Sequence, residues 1–477
     1  RIHQRPDNSR ERRSFSTMSS VILAEHIAVI SAGQTAKIPA SVRKMLQRVT
    51  LDAYGLMLSA RNTDYIQAIQ SSCVDHGDTT AFGHGSRFTM QDAVLINGTA
   101  VHGEDFDDTF EGTPVHVSSV IIPTILAVAE REDLPPDKFI RAMAFGAELI
   151  CRLALVAPTA IHRQGFHPTA ILGAFGASLT ASIGYGLNAQ QAASALGIVG
   201  SMASGIIEYL AEGTWTKRMH PGWAAAAGIK SAVMAKAGFT GPRTVFEGTH
   251  GLFKGFAHDS IAPDFGHLES FGEEWISAGL AFKPYACGTM TQPFVDCAIQ
   301  ASKILSIGDV REIHAHVGEG TVHRLWEPLD EKRNPSTPYG AKFSVPYCIA
   351  IGFLDGKAGL SEFTEDQLSR DDIQSITSKT TYSINPEDPY PGEYVGWLDF
   401  VDLEGKTHTI KQACLRGGKQ EPMTDPELED KFKNNLMFAG LETTDIVSAQ
   451  ERINHLFNPK NNIRECVKAL AMIGEKP

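Results

Sequence analysis

Two stretches constrain the fold most: ILGAFGASLTASIGYG at 171–186 and PGWAAAAGIKSAVMAKAGF at 221–239. Each is long enough for several helical turns, yet both are rich in Gly, Ala and Ser. Glycine costs a helix interior up to ~1 kcal/mol relative to alanine. Such sequences make sense where helices cross so closely that larger side chains would not fit. They predict a tightly packed all-helical body over about residues 20–275. The segment 89–103 reads the same way, with Thr89 as cap, Asp92 three residues on and apolar residues at helical spacing through Val101.

After about residue 280 the period changes. EIHAHV (312–317) and TYSINP (381–386) alternate as strands do, and YVGWLDFVDL, EGK, THTIKQA reads as a hairpin around Gly405. Helical stretches near 291–304, 344–354 and 365–379 interleave with these strands, and the pattern is helical again from Asp425. The expected fold class is therefore mostly α: a large helical domain over 18–278, a smaller α/β lid over 279–424, and C-terminal helices (425–477) returning to the helical domain. Residues 1–17 carry five arginines and three serines without an apolar face. They read as a disordered or targeting segment outside the fold, although Asp7 and Glu11 are unusual for an organellar leader.

Bulk properties remove several functions. A formal charge of −12 with no dense basic stretch argues against nucleic-acid binding. The longest apolar runs, such as VIIPTILAVA at 120–129, are too short to span a bilayer. Seven cysteines lie scattered with no CxxC, which points to reduced thiols in an intracellular compartment, cytoplasmic or mitochondrial, and away from structural zinc. There is no GxGxxG after a strand, no Walker loop, no HExxH and no GxSxG.

Four segments carry candidate chemistry. HGEDFDDTFEGTPVH (102–116) crowds acids between two histidines. By itself it fits a solvated, helix-capping loop better than a site, and its spacing is not that of an EF-hand. A helical turn continued past His102 would put Asp105, Asp108 and Thr109 on one side. His167 precedes Pro168 at a helix start, where anions are attracted. Lys217, Arg218 and His220 cluster just before Pro221, where cations oppose a helix dipole unless an anion binds. Lys283, Tyr285 and Cys287 sit on a Pro- and Gly-broken loop; without a Cys–His motif, Cys287 reads as a buried thiol rather than a nucleophile.

The order of these segments says more than any one of them. NGTAVHGEDFDDT, HVSSVIIPTILAVAE, GFHPTAILGAFGAS, TKRMHPGWAAAAGI, KPYACGT and AKFSVPYCIA, in that order, resemble the MmgE/PrpD family, which includes 2-methylcitrate dehydratases and cis-aconitate decarboxylases. The resemblance covers the chain from about residue 20. It implies a homodimeric enzyme with its site between a helical domain and a lid, a small di- or tricarboxylate substrate, and no metal or organic cofactor. It assigns Asp105, His116, His167 and Lys217 to catalysis and Thr109 to substrate binding, with Arg218, His220 and Lys283 as further carboxylate-binding candidates. The remaining acids, Glu104, Asp107, Asp108 and Glu111, are expected as caps, supporting partners or solvated neighbours. Two positions depart from the pattern: Gly288 stands where decarboxylases use a histidine, and Gln292 where many relatives have one. The reading from sequence therefore ranks dehydration of 2-methylcitrate or another alkylcitrate first. Decarboxylation of cis-aconitate to itaconate, and epimerisation of a substituted succinate, are the alternatives. A helical scaffold that lost its chemistry is the non-enzyme alternative.

Overall fold

The computed structural model describes residues 21–33, 36–113 and 115–474, so the 1–17 segment lies outside the described residues. The helical body is built from α1 (Ala40–Ser59), α2 (Met90–His102), α3 (Ser118–Arg131), α4 (Pro136–Val156), α5 (Pro168–Gly184) and α6 (Thr216–Lys236), with shorter helices between them. At its centre is α5, buried at every position from Pro168 to Gly184, as expected of a helix that is apolar on all sides. Among the described residues no helix is long and apolar enough to cross a membrane.

Small residues set the helix spacing, as the sequence predicts. A Cβ placed on Gly98 of α2 would lie 2.5 Å from Gly222 Cα on α6, and one on Gly222 would collide with the Leu95 carbonyl. Backbone meets backbone at this crossing, so no side chain can give way. Gly222→Ala is therefore expected to displace α6 from α2 and to cost ~1–3 kcal/mol of overpacking. Any turnover should fall with it, because α6 and the loop after α2 both carry candidate site residues. Urea denaturation and initial rates check this; an alanine variant with unchanged stability would refute the close crossing.

The second part of the chain contributes α7 (Gln292–Ala301) and α8 (Val345–Asp355), packed beside a four-stranded sheet. Its strands are β1 (Val310–Val317), β2 (Thr380–Ile384), β3 (Gly396–Asp402) and β4 (Thr407–Gln412), in the order β2-β1-β3-β4. β1 pairs with β2 in parallel; the other two pairings are antiparallel. The β3–β4 hairpin turns through Gly405, whose φ of +85° favours glycine. The expected helix over 365–379 is two short pieces, Glu365–Leu368 and Asp371–Thr377.

The C-terminal helices α9 (Asp425–Phe438), α10 (Thr443–Leu456) and α11 (Ile463–Ala471) return to the helical body. α9 packs along α1, and the Tyr54 hydroxyl of α1 donates to the Leu470 carbonyl at 2.7 Å. Two-residue strands missed by the periodicity, Thr109–Phe110 and Leu280–Ala281, pair antiparallel and tie the acidic loop to the start of the α/β part.

Candidate active site

Helix α2 delivers the acidic segment. Thr89 caps it by accepting from the Asp92 amide at 3.2 Å, and it stops at His102. The chain does not continue as a helical turn. Asp105 takes a left-handed φ of +56°, sparsely populated for a residue with a side chain, and Thr109 enters the short strand. The shared helical face expected for Asp105, Asp108 and Thr109 does not exist.

Nor is the loop solvated. Asp107 and Asp108 are fully buried, and Asp105 is nearly so. Each acid has a separate task. Asp108 accepts from the amides of Val117 and Ser118 at 3.2 and 3.0 Å, and so caps α3. Asp107 Oδ2 faces His102 Nδ1 at 2.8 Å. Glu104 pairs with Lys342 at 3.1 Å and accepts from the Tyr65 hydroxyl at 3.0 Å. Glu111 accepts from the Lys419 amide at 3.1 Å.

Asp105 is held between two ammonium groups. Lys217 Nζ of α6 donates to Oδ1 at 2.7 Å, and Lys283 Nζ donates to Oδ2 at 3.2 Å and to the Asp105 carbonyl at 2.8 Å. Burial disfavours the carboxylate, but Lys217 and Lys283 outweigh it and hold its pKa well below the usual range. Burial likewise opposes the Lys217 charge, and Asp105 overrides it, raising that pKa. Both groups are ionised.

Four histidines surround this clamp. His102 stacks on His167 with ring centres 5.6 Å apart and lies edge-on to His116 at 4.8 Å. His116 Nδ1 sits 2.8 Å from the Asp108 carbonyl, so Nδ1 carries a proton and Nε2 of the neutral ring keeps its lone pair. His167, at the N-terminus of α5, and His220 of α6 face each other Nδ1 to Nδ1 at 3.0 Å; one proton between them makes one ring donor and the other acceptor. Burial pushes His116 down to about 3 and His220 down to about 4, and holds His167 well below the usual range. These rings are neutral.

A pH dependence follows. In the unfolded chain these histidines titrate near 6.5, so between their folded values and 6.5 the unfolded state binds more protons. The stability they contribute is complete above pH 6.5 and is lost as the pH falls. Asp108 runs the other way, because burial and Asp107 raise it to about 7. Three imidazoles outweigh it, so the thermal midpoint should fall as the pH is lowered from 6.5 toward 4.5. His116→Asn should make that slope shallower. A flat profile in differential scanning fluorimetry would contradict the neutral cluster.

The structure thus brings together Asp105, His116, His167, Lys217, His220 and Lys283. It separates two others. The guanidinium of Arg218 lies between the rings of Tyr65 and Tyr339, at 4.3 and 4.2 Å, and 3.7 Å from Glu104, so it clamps the loop rather than facing the histidines. The Thr109 hydroxyl points to the Val115 carbonyl at 3.4 Å. Lys217, Arg218 and His220 also lie inside α6, which begins at Thr216; the helix does not wait for Pro221. Sequence reasoning missed His102 and Lys342, and it named Asp107 only as one of several possible supporting acids, without its partner. The signal for the His102–Asp107 pair was the position of His102 at the end of the same helix, five residues before Asp107.

His102, Asp107 and His116 offer donor atoms within 4.8 Å of one another, the ligand types of a divalent-cation site. In this structure two of these donors satisfy each other, with His102 Nδ1 and Asp107 Oδ2 in a 2.8 Å hydrogen bond. At the departing positions, the Gln292 amide donates to the carbonyls of Tyr285 and Cys287 at 3.3 and 3.2 Å, and a Cβ on Gly288 would lie 3.2 Å from the Phe343 ring. Neither residue supplies a proton-transfer group.

Known proteins resemble this chain along most of its length. The model of the MmgE/PrpD N-terminal domain matches residues 23–263, and that of the MmgE/PrpD C-terminal domain matches 285–452. A cis-aconitate decarboxylase-like protein of Aspergillus oryzae is 24% identical over 442 residues, covering 88% of this chain and 91% of its own. The cis-aconitate decarboxylase of Mus musculus is 26% identical, covering 82% and 81%, and that of Homo sapiens 28%, covering 72% of each.

Proposed function

We propose, on the premise that the chain belongs to the MmgE/PrpD family, that it is a lyase of small tricarboxylates, and specifically a carboxy-lyase for an unsaturated substrate of the cis-aconitate type. The ranking drawn from Gly288 and Gln292 is reversed, because the relatives reported above carry the decarboxylase name along most of their length. The observation that carries the chemistry is a pair of lysines clamped on one buried carboxylate, with histidines clustered beside it.

Decarboxylation breaks the bond between carbon and the departing carboxylate. The electron pair moves into the allylic system and onto a remaining carboxylate, carbon dioxide leaves, and a proton is added at the far alkene carbon. Lys217 and Lys283 are placed to stabilise the charge that develops on that carboxylate. A histidine supplies the proton. The His116, His167 and His220 imidazoles are neutral before substrate enters, and a trianion beside them favours the imidazolium. With glycine at 288, this proton comes from the His102, His116, His167 and His220 group.

The same glycine favours a second reading, dehydration of an alkylcitrate, in which His116 Nε2 takes the proton α to a carboxylate and a second histidine protonates the leaving hydroxyl. One experiment decides: purified protein is given cis-aconitate and, separately, 2-methylcitrate, with products read by mass spectrometry. Itaconate with carbon dioxide from the first supports decarboxylation. Unsaturated product from the second alone supports the dehydratase. Silence on both removes the tricarboxylate-lyase reading.

A further inference from the structure

Arg218 turns away from the histidines and from the lysine clamp, yet its donors are not used where it lies. The residue is 8% exposed, and its guanidinium is stacked between the rings of Tyr65, from the helical body, and Tyr339, from the α/β part. Stacking occupies the two faces of the planar group and leaves its edge donors free. None of those donors has a hydrogen-bond acceptor among the described residues. Nε is closed off from solvent; Nη1 and Nη2 are not. The nearest carboxylate oxygen, Glu104 Oε1, lies 3.7 Å from Nη1, beyond hydrogen-bond length.

The acids of the loop are all engaged elsewhere. Glu104 Oε2 meets Lys342 Nζ at 3.1 Å, and Oε1 accepts from the Tyr65 hydroxyl at 3.0 Å. Asp105 is held by Lys217 and Lys283, Asp107 faces His102, and Asp108 accepts from two backbone amides. None is left to bond Arg218. A buried guanidinium with covered faces and an unbonded, reachable edge is built for a carboxylate, because two parallel N–H donors match its two oxygens. Buried donors are rarely left unpaired, and a planar anion is the ligand that this edge fits.

This edge adjoins the clamp. Lys217 and Arg218 are consecutive on α6, and so are Asp105 and Glu104 in the loop that they face. Tyr339 spans the interval: its ring lies 4.2 Å from the Arg218 guanidinium and 5.4 Å from the Phe343 ring, over which Lys217 Nζ stands at 6.0 Å. When a tricarboxylate is decarboxylated, one carboxylate leaves and a second takes up charge at the lysines; the third keeps its charge throughout. We propose that Arg218, held between Tyr65 and Tyr339, is the subsite for this third carboxylate, and that it selects tricarboxylates over acids with fewer carboxylates. The inference rests on the tricarboxylate reading above and adds to it a residue outside the lysine and histidine group.

Two probes test this on the full chain: tricarballylate, a saturated tricarboxylate, titrated by calorimetry, and butyrate, with a single carboxylate, followed by ligand-observed NMR. One saturable site for tricarballylate is expected. Arg218→Gln should weaken it roughly tenfold or more. Arg218→Lys, which keeps the charge without the fork, should weaken it less, and it keeps the test open if Arg218→Gln does not fold. Butyrate reads the clamp alone, so its binding should weaken in Lys217→Ala and stay unchanged in both Arg218 variants. Tricarballylate binding indifferent to both Arg218 variants would overturn the subsite and leave the tricarboxylate reading standing. Equal weakening of both probes would also overturn it, because Arg218 would then act only by bracing the loop. No binding of tricarballylate by the parent chain would remove the tricarboxylate reading and the subsite with it.

Discussion

Lys217→Ala is expected to lower kcat/KM by about 10²–10³, the usual loss when one preorganised donor to a developing oxyanion is removed. The fold should survive, because Asp105 keeps Lys283 at 3.2 Å and on its own carbonyl at 2.8 Å. Far-UV circular dichroism on the same sample separates lost chemistry from lost structure. Lys217→Arg should recover little, because a planar fork cannot replace a compact ammonium at one carboxylate oxygen. A fully folded alanine variant within tenfold of the parent rate would mean that the clamp is not catalytic and that the scaffold alternative deserves the same assays.

Lys431→Ala should be the most destabilising single change described here, at ~3–5 kcal/mol. Lys431 is buried, pairs with the buried Asp52 at 2.8 Å and also holds the Phe106 carbonyl. Burial raises the Asp52 carboxyl and lowers the Lys431 ammonium against their mutual attraction, so each charge depends on the other. Truncating the lysine removes the ammonium bonded to the buried Asp52 carboxylate and leaves the more distant Arg48 as a weaker compensating charge. Replacing both partners with apolar residues of similar size should restore much of the loss, since a buried pair contributes little relative to a packed apolar one. Urea denaturation of the single and double variants measures this. A double variant no better than the single would show that the bond to Phe106, rather than the ion pair, holds α9 in place.

The architecture was legible because its signals are local. Gly and Ala at 171–186 and 221–239 announce close helix crossings, and alternation at 312–317 announces a strand. The site was half legible. Motif order picked out Asp105, His116, His167 and Lys217, which do converge. What sequence could not supply was the turn of the loop after His102. A left-handed Asp105 leaves no periodic trace, so the continued-turn expectation put Thr109 on the wrong side and overlooked the His102–Asp107 pair. Arg218 has the same history: adjacency to Lys217 suggested a shared task, but one residue along a helix is about 100° of rotation, enough to send it to Tyr65 and Tyr339.

The two-lysine grip on Asp105 has a consequence for affinity. The protein carries an internal competitor: any carboxylate that reaches Lys217 and Lys283 must share them with, or displace, one already bonded to both. Substrate binding is then a competition between anions rather than the filling of a naked cationic pocket. Ground-state affinity is held down by that competition, and the departing product is replaced at once by a tethered rival. Removing the rival, as in Asp105→Asn, would turn the site into a better trap for carboxylates and a poorer enzyme.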